Sequence, residues 1–313
     1  MVGIVVPAYK RRDTLRAALQ SLALQTRKDF TVIVVDDHSP EPLLDVVNEF
    51  KDTLKIVYKY AEVNGGPGAA RQIGLEECYA LGVKYVMFLD SDDMYFPHAI
   101  ERLVREMELT GCSMISAAVW QEHVEGGGAM IQSDNETWLH GKIFQAAYLK
   151  EYEISFPKLR TNEDVVFNLI ASQCAPKKGT LNEILYLFRY DNNSITHSAD
   201  ASMTMISTDY ITAIYHVALY MMEKLGRITD QVLIDIFATY NHYQTGITLG
   251  LITDEIKEQT KYLLHLPQVK EALDSETTLK RFESVPNQYM SYGGKIYFFA
   301  QTFWDWLIEF EVM

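Results

Sequence analysis

Short apolar runs alternate with amphipathic stretches over the first third of the chain. Four of these runs are near-continuous, as in strands buried on both faces, and they cover residues 2–6, 30–35, 54–60 and 85–89. The stretches between them have apolar residues at helical spacing and predict helices at 15–23, 43–50 and 69–81. This alternation predicts an α/β fold in which helices cover both faces of a mainly parallel central sheet.

The pattern changes twice further along the chain. Residues 111–198 are less regular, and their predicted elements are two strands and a helix, at 114–120, 184–190 and 163–172. Residues 199–313 are mostly helical in pattern. We therefore expect a first domain at 1–198, whose halves meet near residue 110, and a helical C-terminal region at 199–313.

Composition argues against several classes of protein. The chain of 313 residues has 28 basic and 42 acidic residues, and its net charge of −14 disfavours a general nucleic-acid-binding surface. Cys78, Cys112 and Cys174 lie far apart, which predicts neither disulfides nor a zinc site and fits a reducing, cytoplasmic location. Neither a signal peptide nor a membrane span is predicted. We expect the aromatic stretch at 297–306 to form a packed helix.

Polar or turn-forming clusters follow all four of the strands predicted in the first third. These clusters are Pro7-Ala8-Tyr9, Asp36-Asp37, Asn64 to Gly68, and Asp90 to Asp93. Because the carboxyl ends of parallel strands meet at one edge of a sheet, the clusters predict a ligand site at that edge.

Asp90-Ser91-Asp92-Asp93 is the most informative of these clusters. Three carboxylates that follow a buried strand repel one another unless a cation lies among them. Mg²⁺ or Mn²⁺, which prefer oxygen ligands and often share them with a phosphate, would fit this site. The alternative is a polar turn that caps the next helix, since Asp-rich turns are common.

The four clusters with their flanking residues, and a fifth motif further along the chain, occur in a fixed order. The five segments are Pro7-Ala8-Tyr9, Val34 to Asp37, Asn64 to Gly74, Leu89 to Asp93, and Asn162-Glu163-Asp164. In this order and spacing they resemble the family 2 glycosyltransferases, over roughly the first two hundred residues. The chain departs from the family pattern at Gln72, where Asn is usual. The resemblance implies a GT-A, Rossmann-like fold and an inverting, hexosyltransferase-type enzyme that uses a nucleotide-sugar, with 1–110 as the nucleotide-binding half and 111–198 as the acceptor half.

The resemblance also assigns roles to individual residues. Those that would bind the donor, expected to be a UDP-sugar, are Pro7, Ala8, Tyr9, Asp36, Asp37, Asn64, Gly65, Gly68, Arg71, Asp90, Ser91 and Asp92. In the Asp-x-Asp (DxD) motif, Asp90 would contact the ribose and Asp92 would bind Mn²⁺ or Mg²⁺, with Asp90 and His197 as further candidate metal ligands. Asp164 would be the general base, and Glu163 would support or contact the acceptor.

Several of these residues have structural alternatives. Asp37 or Asp93 could cap the helix that follows it, and Glu163-Asp164 could cap the helix that they open. The glycine-rich segment, Gly74 in particular, could simply form a tight connection between strand and helix. For His140, in a His-Gly-Lys segment, the resemblance implies a position near the sugar or acceptor pocket, and the alternative is a capped loop.

Two other functions compete with glycosyl transfer. A non-catalytic module could retain the nucleotide-sugar pocket, although all the expected carboxylates are present. A sugar nucleotidyltransferase would carry an early Gly-x-Gly-Thr-Arg loop, and this chain has Pro7 to Arg11 at that place. The acceptor would be a hydroxyl of a saccharide, glycan, protein or modified nucleobase, and the C-terminal helices could form a homodimer.

Overall fold

The computed structural model describes residues 1–123, 126–133, 135, 137–159, 161–190, 204–273, 289–292, 295–298 and 303–312. The chain divides into two compact units. The first comprises Met1–Arg160 with Ala171–Asp191, and the second comprises Thr161–Ile170 with Asn192–Met313. The domain boundaries expected from the sequence stay a prediction.

The first unit is built on a nine-stranded sheet. Its strands are β1 (Val2–Ala8), β2 (Phe30–Asp36), β3 (Ile56–Tyr60), β4 (Tyr85–Phe88), β5 (Met94–Tyr95), β6 (Met114–Glu122), β7 (Gly128–Ile131), β8 (Lys142–Gln145) and β9 (Lys178–Phe188). They are ordered β3-β2-β1-β4-β8-β6-β9-β5, and β7 pairs with β6. The first four strands are parallel neighbours, whereas β8 is antiparallel to both β4 and β6. The predicted α/β fold is confirmed, with its parallel part in the order β3-β2-β1-β4.

Helices alternate with the parallel strands and then dominate the C-terminal part of the chain. They are α1 (Arg12–Ala23), α2 (Leu44–Asn48), α3 (Gly66–Ala80), α4 (Ala99–Thr110), α5 (Ala146–Glu151), α6 (Glu163–Cys174), α7 (Thr204–Leu225), α8 (Asp230–Leu249), α9 (Asp254–Leu264), α10 (Pro267–Leu273) and α11 (Phe303–Glu309). Two further strands, β10 (Tyr289–Tyr292) and β11 (Lys295–Phe298), form an antiparallel pair. Among the residues given above, none of the helices combines the length and the apolar character that spanning a bilayer requires.

Apolar residues cover both faces of the parallel strands. On one face, Ile4 and Val6 of β1 belong to a buried cluster with Leu15 and Leu19 of α1. On the other face, α3 lies so close to β1 that a Cβ on Gly74 would overlap the side chain of Val5. Gly74 therefore lies inside α3 and permits the close approach of this helix to β1, whereas the sequence suggested a place in the connection between strand and helix. The sheet has helices on both faces as predicted.

The second unit has a core of its own. Ile214, Val217 and Met221 of α7 are fully buried. Trp306 of α11 is fully buried, and its ring lies 5.5 Å from the ring of Tyr240 on α8. The packed helix predicted near the C-terminus is therefore present as α11, whereas residues 297 and 298 belong to strand β11 instead.

Candidate active site

Three parallel strands bring their polar residues to one edge of the sheet. Ala8 at the end of β1 is paired with Asp36 at the end of β2. On the other side of β1, Leu89 N donates to Val5 O at 3.0 Å, just before Asp90 begins the acidic turn. The clusters that follow β1, β2 and β4 therefore reach the same edge, as the pattern of strands predicted.

Asp36 is fully buried and organises the loop after β2. Its Oδ1 accepts a hydrogen bond from Ser39 N at 2.9 Å. Its Oδ2 accepts from Leu43 N at 2.9 Å and from the Tyr58 hydroxyl at 2.7 Å. Both carboxylate oxygens of Asp36 thus accept hydrogen bonds from groups of the protein itself. A contact between Asp36 and a nucleotide stays a prediction.

Asp37 holds the glycine-rich loop against the end of β2. Its two carboxylate oxygens accept hydrogen bonds from Gly65 N and Gly66 N, each at 2.8 Å, and Asn64 Nδ2 donates to its backbone oxygen at 3.0 Å. Gly66 has φ +82°, a left-handed conformation that glycine adopts readily. The alternative that Asp37 caps the helix after it is wrong, because this carboxylate binds the start of α3, and α2 begins after Leu43 without a side-chain cap.

Pro7 and Ala8 form the buried end of β1, and Tyr9 follows them at the surface. The Tyr9 side chain is exposed, and the Lys10 ammonium lies 4.8 Å from the centre of its ring. A planar ring that is exposed just after the end of β1 suits stacking on another planar group. Contact with a nucleobase stays a prediction for Tyr9.

Asp90 is balanced by two groups from different elements. Arg71 of α3, which is buried, donates from Nη2 to Asp90 Oδ1 at 2.6 Å. His140 Nε2 lies 3.3 Å from Asp90 Oδ2. Burial by itself would raise the pKa of Asp90, but the charges and hydrogen bonds of Arg71 and His140 outweigh it and hold that pKa well below the usual value.

Asp93 is the most enclosed carboxylate of the turn. The Tyr186 hydroxyl donates to its Oδ2 at 2.7 Å, and Arg189 N donates to its Oδ1 at 2.9 Å. Burial raises the pKa of Asp93 above the ordinary range, and repulsion from its acidic neighbours adds to this, although His140 opposes it. The alternative that Asp93 caps the next helix is wrong, since α4 begins after His98 without a side-chain cap.

Asp92 is the more accessible of the two carboxylates that follow Ser91. Its side chain is 23% exposed, against 2% for Asp93. Arg11 Nη2 lies 3.7 Å from its Oδ2. Burial and the charge of Asp90 raise the pKa of Asp92, whereas Arg11 lowers it.

A divalent cation would find suitable ligands at this turn. Ligand atoms of Asp90, Asp93 and His140 all lie within 4.8 Å of one another. The two carboxylate oxygens are ligands that suit Mg²⁺ or Mn²⁺, and the imidazole nitrogen is a further donor. Asp93 and His140 were not predicted as metal ligands, and Asp92, which was, does not belong to this trio. The His-Gly-Lys segment of His140 leads into β8, the strand beside β4. The candidate ligand His197 lies outside the described residues.

Glu163 and Asp164 open α6, as the sequence predicted. Glu163 is buried, while Asp164 is partly exposed. Asn162, the first residue of the Asn162-Glu163-Asp164 motif, has φ +59°, and Thr161 Oγ1 donates to Asp209 Oδ2 of α7 at 2.6 Å. The start of α6 is therefore fixed to α7 within the second unit, and the catalytic roles of Glu163 and Asp164 stay predictions.

A family model described as "Glycosyl transferase family 2" matches residues 3–162, half of the chain. The chain belongs to this family. The matched region contains the parallel strands, the glycine-rich loop and the acidic turn, so the resemblance carried by those motifs is confirmed. The match to the family model ends at Asn162, the first residue of the Asn162-Glu163-Asp164 motif.

Curated relatives match over parts of their length. An uncharacterized glycosyltransferase of Rickettsia felis is 30% identical over 143 residues, 46% of this chain and 23% of that protein. The poly(ribitol-phosphate) beta-glucosyltransferase of Bacillus spizizenii is 30% identical over 195 residues, 56% of this chain and 30% of that protein. The match thus spans under a third of the length of these two relatives.

Solved structures show the same fold. The crystal structure of Staphylococcus aureus TarS 1–349 in complex with UDP-GlcNAc aligns with a TM-score of 0.67 and 19% identity, over 94% of this chain and 95% of that one. The mannosyltransferase PcManGT of Pyrobaculum calidifontis, in complex with GDP-Man and Mn²⁺, aligns with a TM-score of 0.52 and 13% identity, over 88% of each chain. The GT-A fold expected from the motifs is confirmed by these structures.

Proposed function

We propose that this protein transfers a sugar from a UDP-linked donor to a hydroxyl acceptor, with inversion at the anomeric carbon. The observation that carries the proposal is the acidic turn at the edge of the parallel strands, where Arg71 and His140 bind Asp90 in a chain of glycosyltransferase family 2. The UDP-GlcNAc bound to TarS, which has the same fold, supports a UDP-sugar as the donor.

The donor would bind at the carboxyl edge of β1, β2 and β4. Tyr9 would stack on the base, Asp36 or Asp37 would contact the nucleoside, and Asp90 would contact the ribose. Asp92, with Asp90, Asp93 and His140 nearby, would hold a divalent ion, which when bound supplies charge neutralisation for the departing diphosphate. The Mn²⁺ bound with GDP-Man in PcManGT supports this part of the proposal.

The transfer itself would be a single displacement. The acceptor hydroxyl oxygen attacks the anomeric carbon while the bond from that carbon to the diphosphate oxygen breaks. The hydroxyl proton passes to the carboxylate of Asp164, and the nucleoside diphosphate leaves with the electron pair of the broken bond. Attack opposite the leaving group inverts the anomeric carbon. Glu163 would support the acceptor in this arrangement.

Thermal unfolding with ligands tests donor binding. UDP and Mn²⁺ together should raise the Tm of the full chain by several degrees, and UDP with EDTA should raise it much less, because a ligand that binds only the folded state stabilises it. GDP, CDP and dTDP with Mn²⁺ test the choice of base. Absence of a shift with every nucleotide would refute the proposal.

Asp164→Asn tests the general base. Turnover of UDP-sugar, as transfer or hydrolysis, should fall at least a hundredfold, the usual scale of general-base catalysis, while the Tm shift with UDP and Mn²⁺ is retained. Asp254→Asn is the matched control because it removes the same charge from the first turn of another helix, α9. Normal turnover by Asp164→Asn would remove Asp164 from this role.

The same assays separate the two alternatives. A non-catalytic module would bind UDP but release no sugar from UDP-sugar, and a nucleotidyltransferase would release pyrophosphate. We propose that the acceptor is a hydroxyl of a saccharide, glycan, protein or modified nucleobase. Two curated relatives are named for poly(ribitol-phosphate), so a polyol phosphate should be tested as an acceptor too. We also propose that the protein is cytoplasmic and that it forms a homodimer through its C-terminal helices.

A further inference from the structure

Arg11 places a second cation beside the acidic turn. It lies between β1 and α1, at the sheet edge where β4 also ends, and its Nη2 is 3.7 Å from Asp92 Oδ2. The two side chains are 20% and 23% exposed. An ion pair that is partly shielded from water is stronger than one on the open surface.

The three aspartates of the turn differ in what a metal ion would have to displace. Asp90 is bonded to Arg71 and His140, and Asp93 is enclosed by Tyr186 and the backbone of Arg189. Asp92 is as exposed as Asp90, at 23% and 24%, and its carboxylate is paired with Arg11 at the longer distance of 3.7 Å. A divalent ion that binds Asp92 therefore meets a guanidinium already next to the carboxylate, and two cations at one carboxylate repel each other.

We propose that Arg11 and the divalent ion compete for Asp92, so that the ion binds weakly until a nucleoside diphosphate arrives. This inference rests on the proposed function. The diphosphate carries negative charge to the same edge, and a guanidinium binds phosphate oxygens well. Arg11 would move from Asp92 to the diphosphate and release the carboxylate for the ion. Donor and metal binding are thereby coupled through one side chain.

Binding of Mn²⁺ alone to Arg11→Gln tests the competition. Free Mn²⁺ is measured by electron paramagnetic resonance during titration of the full chain, without nucleotide. We expect Arg11→Gln to bind Mn²⁺ about tenfold more tightly than the wild type, because the competing charge is gone. In EDTA, the same variant should bind UDP several-fold more weakly, because the guanidinium that takes the phosphate is gone.

Arg12→Gln is the matched control. It removes the same charge at the next position, and Arg12 pairs with Asp45 of α2 instead of the acidic turn. Its Mn²⁺ affinity should equal that of the wild type. Arg11→Lys, which keeps the positive charge, should stay closer to the wild type than Arg11→Gln. Arg11→Ala, which also removes the charge, serves as the test if the Gln variant does not fold.

Three outcomes would overturn the inference. They are an unchanged Mn²⁺ affinity in Arg11→Gln, no measurable Mn²⁺ binding in either protein, and an equal gain in Arg12→Gln. The Tm of the wild type with UDP and Mn²⁺ together shows whether only this inference fails or the proposed function fails with it. A Tm shift there, without an effect of Arg11, refutes only the competition, whereas absence of a shift with every nucleotide refutes the proposed function too.

Discussion

The aspartates of the acidic turn have different electrostatic environments although they are neighbours in sequence. Asp90 has a buried arginine at 2.6 Å, which favours its charged form. Asp93 lies beneath Tyr186, where burial favours the protonated form. One turn can therefore hold three carboxyl groups without three uncompensated charges. This arrangement makes the stability of the turn depend on Arg71.

Arg71→Met is expected to lower the free energy of unfolding by about 2–3 kcal/mol. The variant leaves Asp90 with a largely buried charge that has lost its nearest cation, and loss of one partner of a buried ion pair is costly. Urea denaturation at pH 7 measures the change. In Arg71→Met/Asp90→Asn the charge is removed as well, so the loss should be smaller than the sum of the two single losses. Additive losses would contradict the pairing.

At the scale of single residues, the sequence predicted which residues lie at the carboxyl edge of the parallel strands. It did not predict which other side chains of the protein they contact. Asp90 and Arg71 were both predicted as site residues because each lies in a recognisable motif. Tyr186 was not, because it contacts Asp93 from 93 positions away and its own segment has no motif. Pairings of this kind depend on sheet order, which one sequence does not specify.

Helix α3 is the element that joins the glycine-rich loop to the acidic turn. Its first turn is held by Asp37, its second carries Arg71, and its third packs on β1 at Gly74. Glycine costs helix stability relative to alanine. Its presence here is explained by the close approach of the helix to Val5, which leaves no room for a side chain.

Gly74→Ala should therefore destabilise the protein despite the better helix propensity of alanine. The propensity gain is about 1 kcal/mol, whereas overpacking a buried contact costs about 1–3 kcal/mol and moves α3 away from β1. We expect a lower Tm. Val5→Ala makes room for the new methyl group, so Gly74→Ala/Val5→Ala should be more stable than the sum of the single effects predicts. A Tm at or above that of the wild type in Gly74→Ala alone would contradict the contact.

Elements were predictable where periodicity was strong. Strands β1, β2 and β4 are continuous apolar runs, and the structure has them within a residue or two of the predicted bounds. Strand β5 has two residues and pairs with β9 through Met94 and Leu187, so no local pattern marks it. β8 was missed for the same reason, since its four residues include a lysine and a glutamine.

At the scale of the whole molecule, the sequence predicted a helical C-terminal region but not its core. Tyr210 of α7 and His242 of α8 stack with ring centres 4.2 Å apart. Burial lowers the pKa of His242 to about 4. The sequence did not predict this contact, because the two residues belong to different helices. The stack nevertheless links the folding of the second unit to pH, independently of the candidate active site.

His242→Phe should reduce the acid sensitivity of the protein. Between pH 6.5 and about 4 the unfolded chain binds a proton at this histidine and the folded chain does not, so stability falls as the pH falls, by up to roughly 3 kcal/mol. Phenylalanine keeps a ring against Tyr210 but binds no proton. Urea unfolding of both proteins at pH 7.5, 6 and 5 measures the effect, and the difference at pH 7.5 reports packing alone, since the histidine is then neutral in both states. A decline as steep in the variant as in the wild type would mean that His242 does not contribute to it.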